Sequence, residues 1–315
     1  MTADLQDPIF TNENAAREAL EAIRWPHGVV CAQCGCMDKI GPVNGKSHRP
    51  GLYYCGDCKG QFTVTVGTVF ERSKIPLTKW LLATHLLSAS KKGISSHQIH
   101  RMLGVTYKSA WFMTHRIREA MRTGALAPMG GGGAPVEVDE TYIGTKEGRK
   151  KAKGGYGHKR PVLALVERGG EVRSFHIENS TVGDVAPIVR ENLAKEAEMM
   201  TDESNLYTRL GTEFADHQTV AHGAGEYVRG DIHTNTVEGV FSIFKRGMNG
   251  VYHHCGEHHL HRYLAEFDFR YNSRTKLGFD DSTRAAKVLR GAEGKRLTYQ
   301  QTGGDRRGKE AAGQA

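Results

Sequence analysis

The chain has 315 residues, with 43 Lys and Arg against 35 Asp and Glu, for a formal net charge of +8. That length holds two or three domains and a sizeable core, and the basic balance makes an anionic partner such as nucleic acid a reasonable expectation. The sequence has no apolar run of roughly 18 residues, which excludes a transmembrane helix, and Met1-Thr-Ala-Asp-Leu-Gln-Asp-Pro8 lacks a secretion signal's basic and apolar regions, so a cytoplasmic protein with no membrane partner is expected.

Residues 12–24 read as a short amphipathic helix that ends at Trp25-Pro26, because proline disfavours helical geometry in the residue before it. Five of the six cysteines then fall between Cys31 and Cys58. In a cytosolic chain such clustering points to metal rather than to disulfides. Cys31-Ala-Gln-Cys34 and Cys55-Gly-Asp-Cys58 form two knuckles separated by 20 residues. Each supplies two thiolates to one tetrahedral Zn²⁺, a closed structural site whose metal folds the module. Leu52-Tyr-Tyr54 and Gln61–Val66 have strand character, which completes a zinc-ribbon pattern over residues 12–70. Cys36 reads as a bystander.

Pro76 sits at a helix start, and residues 75–125 hold two or three helices. Ile94–Gly104 followed by Val105–Arg118 reads as helix, glycine turn, helix, with Ser95 or Ser96 and Thr106 as caps. This resembles a helix-turn-helix that offers Lys108, His115, Arg116 and Arg118 to phosphates or base edges. The plainer alternative is a helical hairpin with a charged outer face.

Met129-Gly-Gly-Gly-Gly-Ala-Pro135 marks the clearest boundary. Beyond it Val136–Ile143, Val162–Glu167 and Glu171–Ile177 read as a strand meander turned at Arg168-Gly-Gly170. A helix over Thr181–Ala197, a strand over Glu198–Thr201 and helices over Thr236–Gly247 and Glu257–Tyr271 follow. The expectation is a multidomain α+β chain whose domain at 134–275 has a mixed sheet under helical cover. Residues 276–315 read as a tail, disordered from Gly303 onward.

Alternation in Val136-Glu-Val-Asp139 sets Glu137 and Asp139 on the face opposite the valines. Asp202 ends a separate strand, and Glu238 opens a helix on which Lys245 lies two turns further along the same face. Two strand carboxylates and one helix carboxylate can converge on a pair of Mg²⁺ or Mn²⁺ ions, hard cations that prefer oxygen ligands. Such a pair suits phosphodiester chemistry, with Lys245 placed to pair with a phosphate near the scissile bond. Singly, each acid has rivals: Glu137 and Glu140 for Asp139, Glu203 for Asp202, and Asp231 for Glu238.

The stretch Lys146–Arg160 holds seven basic residues, Lys146, Arg149, Lys150, Lys151, Lys153, Lys159 and Arg160, against one Glu. Next to the Asp139 strand, it is placed to grip a DNA backbone. Tyr252-His-His-Cys255 and His258-His-Leu-His261 invite a second metal site, though packing or a DNA-facing role is the plainer reading. Phe267, Phe269 and Tyr271 read as core.

With these motifs in place, the chain resembles the insertion-sequence transposases of the ISXO-two-like group, which carry a zinc ribbon before a DDE domain. The resemblance rests on the four ribbon cysteines, Gln61–Phe70, Val138–Gly144, Asn235–Arg246 and His261–Asn272, and it covers roughly residues 15–275. It implies an RNase H-like catalytic fold, Asp139, Asp202 and Glu238 as metal ligands and Lys245 as the accompanying lysine. Some relatives have Asn at the third acidic position, whereas this chain has Glu238. The expected activity is metal-dependent cleavage and strand transfer at the ends of the element, on double-stranded DNA and within a homo-oligomer. A transcription regulator with an inactive catalytic domain, and a plain nuclease, are the competing readings.

Overall fold

The structure is a computed structural model that describes residues 5–298 apart from Lys46, Ala125 and Lys151. Lys151 of the basic stretch and the tail from Gly303 therefore lie outside the described residues.

Helix α1 (Glu13–Arg24) starts where Asn12 Oδ1 accepts the amides of Asn14 and Ala15, supplying the cap that the first turn lacks. Strands β1 (Ile40–Pro42), β2 (Tyr53–Cys55) and β3 (Gln61–Phe62) form a small antiparallel sheet. Three helices follow: α2 (Leu77–Ala89), α3 (Ser96–Leu103) and α4 (Tyr107–Met121). Ser95 and Thr106 cap α3 and α4 as expected, and Gly104 closes α3 in the left-handed region at φ 59°.

The ribbon and the helices share one core. Trp25, Cys31, Cys55 and Phe62 belong to the same buried cluster as Trp80, Leu87, Met113 and Ile117. Part of the segment expected to be a tail joins them. Helix α9 (Asp281–Arg290) packs on α1, α2 and α4 and buries Val288. A ten-residue helix with one fully covered side chain leaves little apolar periodicity in sequence, which is why it read as tail.

The larger sheet has the order β6-β5-β4-β7-β8. Strands β4 (Val136–Ile143), β5 (Arg160–Glu167) and β6 (Val172–His176) form the expected antiparallel meander. Strand β7 (Glu198–Asp202) runs parallel to β4, and β8 (Asp216–Val220) parallel to β7, so the sheet is mixed. Strand β8 is an unforeseen element. Its residues Asp216-His-Gln-Thr219 are polar, as suits an edge strand, and carry no apolar alternation.

Helices α5 (Val182–Asn192) and α6 (Asn205–Gly211) cover one face of the sheet, burying Val136, Val138, Leu163 and Leu165 against Val185, Val189, Tyr207 and Leu210. Helices α7 (Asn235–Gly247) and α8 (Leu260–Tyr271) cover the other. There Ala164, Val166 and Val172 meet Val237, Val240 and Phe241, while Ile143 and Val162 meet Phe244 and Leu264. Phe267 and Phe269 are buried, as expected of core residues. A short hairpin, β9 (Val228–Arg229) and β10 (Ile232–His233), leads into α7.

A buried polar junction joins the two halves where α4 meets α8. Arg118 and Glu266 are both fully buried, with Arg118 Nε 2.6 Å from Glu266 Oε2. Arg270 and the Tyr252 hydroxyl donate to the other carboxylate oxygen. Burial raises the Glu266 carboxyl, but Arg270 and Arg118 outweigh it and hold the group below the usual range. The Arg118 guanidinium also lies over the Tyr263 and Tyr252 rings, at 4.1 and 5.0 Å.

Candidate metal and catalytic sites

The four ribbon cysteines come together as the spacing expects. Their sulfurs all lie within 4.8 Å of one another, and they are the one group of three or more potential ligands that close among the described residues. Cys31 Sγ is 3.7 Å from Cys58 Sγ, and Cys34 Sγ 3.6 Å from Cys55 Sγ. Thiolates about 2.3 Å from a tetrahedral zinc stand about 3.8 Å apart, so the cluster fits that ion. The knuckle backbone also points amides at sulfur: the Cys58 N–H, opposed by burial and helped by the Asp57 N–H, brings the Cys55 thiol down to about 6. Cys36 lies outside the group.

The acidic residues gather at the larger sheet. Val136 and Glu137 of β4 pair with Met199 and Met200 of β7, and the same offset, kept for two more residues, sets Asp139 beside Asp202. Across the antiparallel register Asp139 faces Ala164, whose small side chain belongs to the cluster under α7, the helix that carries Glu238. Burial first, then Asp202, Glu140 and Glu238, push the Asp139 carboxyl up to about 8. The three side chains are thus electrostatic neighbours, although their oxygens do not draw within the 4.8 Å spacing of the cysteine group.

The rival acids are held in different ways. Glu140 lies on the α5–α6 face, where burial first, then Asp202, push its carboxyl up to about 7. Its Oε1 and the Tyr207 hydroxyl are buried without a hydrogen-bond partner among the described residues. Glu203 accepts the amides of His222 and Gly223, both at 2.6 Å, and so braces a loop. Asp231 is exposed, and its carbonyl accepts Arg168. Glu137 is fully buried and accepts Thr236 N at 2.8 Å, Val237 N at 2.9 Å and Thr236 Oγ1 at 2.8 Å, so it caps α7 from across the fold.

On α7, Glu238 and Lys245 are both exposed, while Val237, Val240, Phe241 and Phe244 face the sheet. Arg246 donates to the Ser242 hydroxyl between them. His222 is a neighbour the sequence did not announce. Its Nε2 lies 3.8 Å from Glu238 Oε1, and Thr234 Oγ1 lies 3.3 Å from the same oxygen. A lone His in an irregular loop carries no spacing signal that could have pointed to Glu238.

Several expected DNA-binding side chains are turned inward. Arg116 donates to the carbonyls of Val69, Glu71 and Leu297, so its guanidinium satisfies turn backbone rather than phosphate. Arg160 is buried and donates to Cys255 O at 2.6 Å. Gly144, at φ 57°, leaves it room, since a Cβ there would stand 2.3 Å from Arg160 Nη2. Arg118 lies in the buried junction, and His115 is 1 % exposed with neither ring nitrogen hydrogen-bonded. Burial, then Arg118, push His115 down to about 2.

Lys108, Arg149, Lys150 and Lys153 are exposed, and Lys159 is half-buried with its ammonium 5.0 Å from the Tyr156 ring. Tyr156 in turn stacks on Tyr142 of β4 at 4.6 Å, and Lys146 donates to Glu178 O at 2.6 Å, so the stretch is anchored at its ends.

The histidines near the chain's end pack as rings: His115 lies 4.6 Å from His259, and Trp111 4.1 Å from His115. Arg262 donates to His259 Nδ1, and its charge with that of Arg118 makes the surroundings unfavourable for a cation.

Comparison with known proteins agrees with this geometry. An ISXO2-like transposase domain matches residues 130–272, and a transposase zinc-ribbon domain matches residues 11–61. A similar chain is an uncharacterized protein in transposable element ISH50 of Halobacterium salinarum, 30 % identical over 279 residues that cover 83 % of this chain and 91 % of the relative. With a ribbon of four clustered cysteines, a mixed sheet, both domains matched in order and a relative from a transposable element over most of its length, the chain belongs to the ISXO2-like transposases.

Proposed function

We propose that the protein binds the ends of its insertion sequence and, with divalent metal, cleaves them and joins them to new DNA. The observation that supports this reading is the β4–β7 register, whose offset, carried two residues past Glu137 and Met200, sets Asp139 level with Asp202, and α7 over the same face bears Glu238. The strand order β6-β5-β4-β7-β8, with three antiparallel strands followed by two parallel ones, supports an RNase H-like catalytic domain.

Asp139, Asp202 and Glu238 offer hard oxygen donors to Mg²⁺ or Mn²⁺, and the mutual repulsion at Asp139 is relieved by such a counter-charge. A pair of divalent ions held by these carboxylates would activate the attacking water or 3′-hydroxyl and stabilise the leaving oxygen. The chain's own part is to orient these carboxylates and to present Lys245, on the exposed face of α7, to a nearby phosphate. Arg149, Lys150, Lys153 and Lys159 then bear on the backbone beside the site, and Lys108 at the first turn of α4 serves a helix-turn-helix formed by α3 and α4. Clustered Cys31, Cys34, Cys55 and Cys58 hold a structural zinc. A homo-oligomer would pair two ends.

The test is Mg²⁺-dependent nicking of a labelled oligonucleotide carrying the element's end. Asp139→Asn, Asp202→Asn and Glu238→Gln should each lose activity by several orders of magnitude while still binding the end, and Lys245→Ala should lose less. Wild-type protein that binds the end but never cuts it would favour a transcription regulator. Cutting without strand transfer would favour a plain nuclease.

A further inference from the structure

The Glu137 carboxylate has four hydrogen bonds into it, and no part of it is exposed. Helix α7 begins after Thr234, whose side chain makes no capping bond, so its first amides need an acceptor from elsewhere. Glu137 supplies it. Oε2 accepts the second and third amides of the helix, and Oε1 accepts the Thr236 hydroxyl and Arg168 Nε at 2.6 Å. Arg168 extends the tie, donating to the carbonyls of Asp231 and His233, the segment that enters α7. His233 Nδ1 lies 3.0 Å from Arg168 Nη2, 3.3 Å from Asn235 N and 3.1 Å from Glu137 Oε1, so its ring packs into the same tie.

Glu137 thus has its charge offset by Arg168 and by the positive end of α7. It sits two residues before Asp139 on the same face of β4, about 6.6 Å along the strand. Val237, whose amide it binds, directly precedes Glu238.

We propose that Glu137 is a positioning residue that holds the first turn of α7 against β4 and thereby sets Glu238 opposite Asp139. The role rests on the metal-binding reading of the acidic site, and it separates Glu137 from the ligands despite the same face, residue type and strand. Metal sites respond to such supporting groups by about 10- to 100-fold in affinity, because a misplaced ligand still binds, only less well.

Two measurements on the full-length protein decide it. Amide hydrogen exchange of the metal-free protein reports the clamp directly. Thr236 and Val237 should exchange about tenfold faster or more in Glu137→Gln, which turns one acceptor into a donor, and less so in Thr236→Val, which removes only the hydroxyl arm. Mn²⁺ titration, followed by the paramagnetic resonance of the free ion, reports the consequence. Glu137→Gln should bind about 10- to 100-fold more weakly, with cleavage restored at saturating Mn²⁺ and kcat near wild type. Asp139→Asn should not be restored.

Unchanged exchange in Glu137→Gln would overturn the clamp. Faster exchange with unchanged Mn²⁺ affinity would reduce Glu137 to a structural cap, and loss as complete as that of Asp139→Asn would make it a ligand. If wild type binds no Mn²⁺, the metal reading fails and the role in setting a ligand fails with it, while the exchange arm still reports whether Glu137 holds α7. Should Glu137→Gln not fold, Thr236→Val and Arg168→Gln carry the same two measurements.

Discussion

Arg118 and Asp139 are both charges taken largely out of water, and the fold treats them in opposite ways. Around Arg118 the protein supplies its own counter-charge: Glu266 sits between Arg118 and Arg270, Tyr252 donates to it, and the rings of Tyr252 and Tyr263 face the guanidinium. Around Asp139 the near neighbours are Asp202, Glu140 and Glu238, all of the same sign. The first cluster pairs opposite charges and joins α4 to α8. The second is left charged on one side only, and burying like charges with nothing to offset them is costly. The fold thus places a carboxylate between two buried guanidinium groups in one cluster and gathers carboxyl groups of one sign in the other, the arrangement that the proposed metal site would use.

The difference predicts substitutions of opposite sign. Glu266→Gln strands two buried guanidinium groups and should cost about 3–5 kcal/mol, read as a lower denaturation midpoint at unchanged slope. A cost of less than about 1 kcal/mol would mean that Glu266 does not hold the two guanidinium groups in place.

Asp139→Asn should do the reverse in metal-free protein. The folded carboxyl is raised to about 8 from an ordinary value near 4, so the native state holds its proton more tightly than the unfolded chain does. Stability is then full below pH of about 4 and falls as pH rises toward 8. Asp139→Asn should remove that fall and stabilise metal-free protein at pH of about 8 by up to about 5 kcal/mol, while abolishing cleavage. Parallel pH–stability curves for the two proteins would show that the acidic cluster carries no strain.

His115 tests the positive side of the junction. Burial and the nearby Arg118 hold it at about 2, below its ordinary 6.5. Its contribution is therefore present above pH of about 6.5 and diminishes as pH falls, at up to about 1.4 kcal/mol per unit. His115→Phe keeps a ring in place and should be nearly neutral at pH 7, since neither nitrogen has a partner to lose. Thermal melts at pH of about 7 and 5 check this, with the wild type falling further between them.

The smallest effect concerns the exposed basic stretch. Neutralising Lys150 and Lys153 together should flatten the slope of log affinity against log salt by roughly 0.9 for each phosphate that the variant no longer neutralises, with folding unaffected. Arg160→Gln should instead lower stability, because Arg160 donates to Cys255 O inside the fold. An unchanged slope in the lysine variant would take the stretch off the DNA.

What could be read from sequence was what local spacing dictates. Two residues between paired cysteines make a knuckle whatever surrounds it, so the sulfur cluster followed directly. Alternation in β4 put Glu137 and Asp139 on one face, and helical periodicity put Glu238 and Lys245 on the outer face of α7. Tertiary packing decided the rest. It set Asp139 beside Asp202 through a parallel register, which no local pattern encodes. It gave two acids from one strand face different surroundings, because α7 begins over Glu137 and leaves Asp139 among like charges. It also turned Arg116, Arg118 and Arg160 inward. An arginine stem packs in a core as readily as it reaches for phosphate, and whether a carbonyl or carboxylate waits at its tip depends on residues far away in the chain.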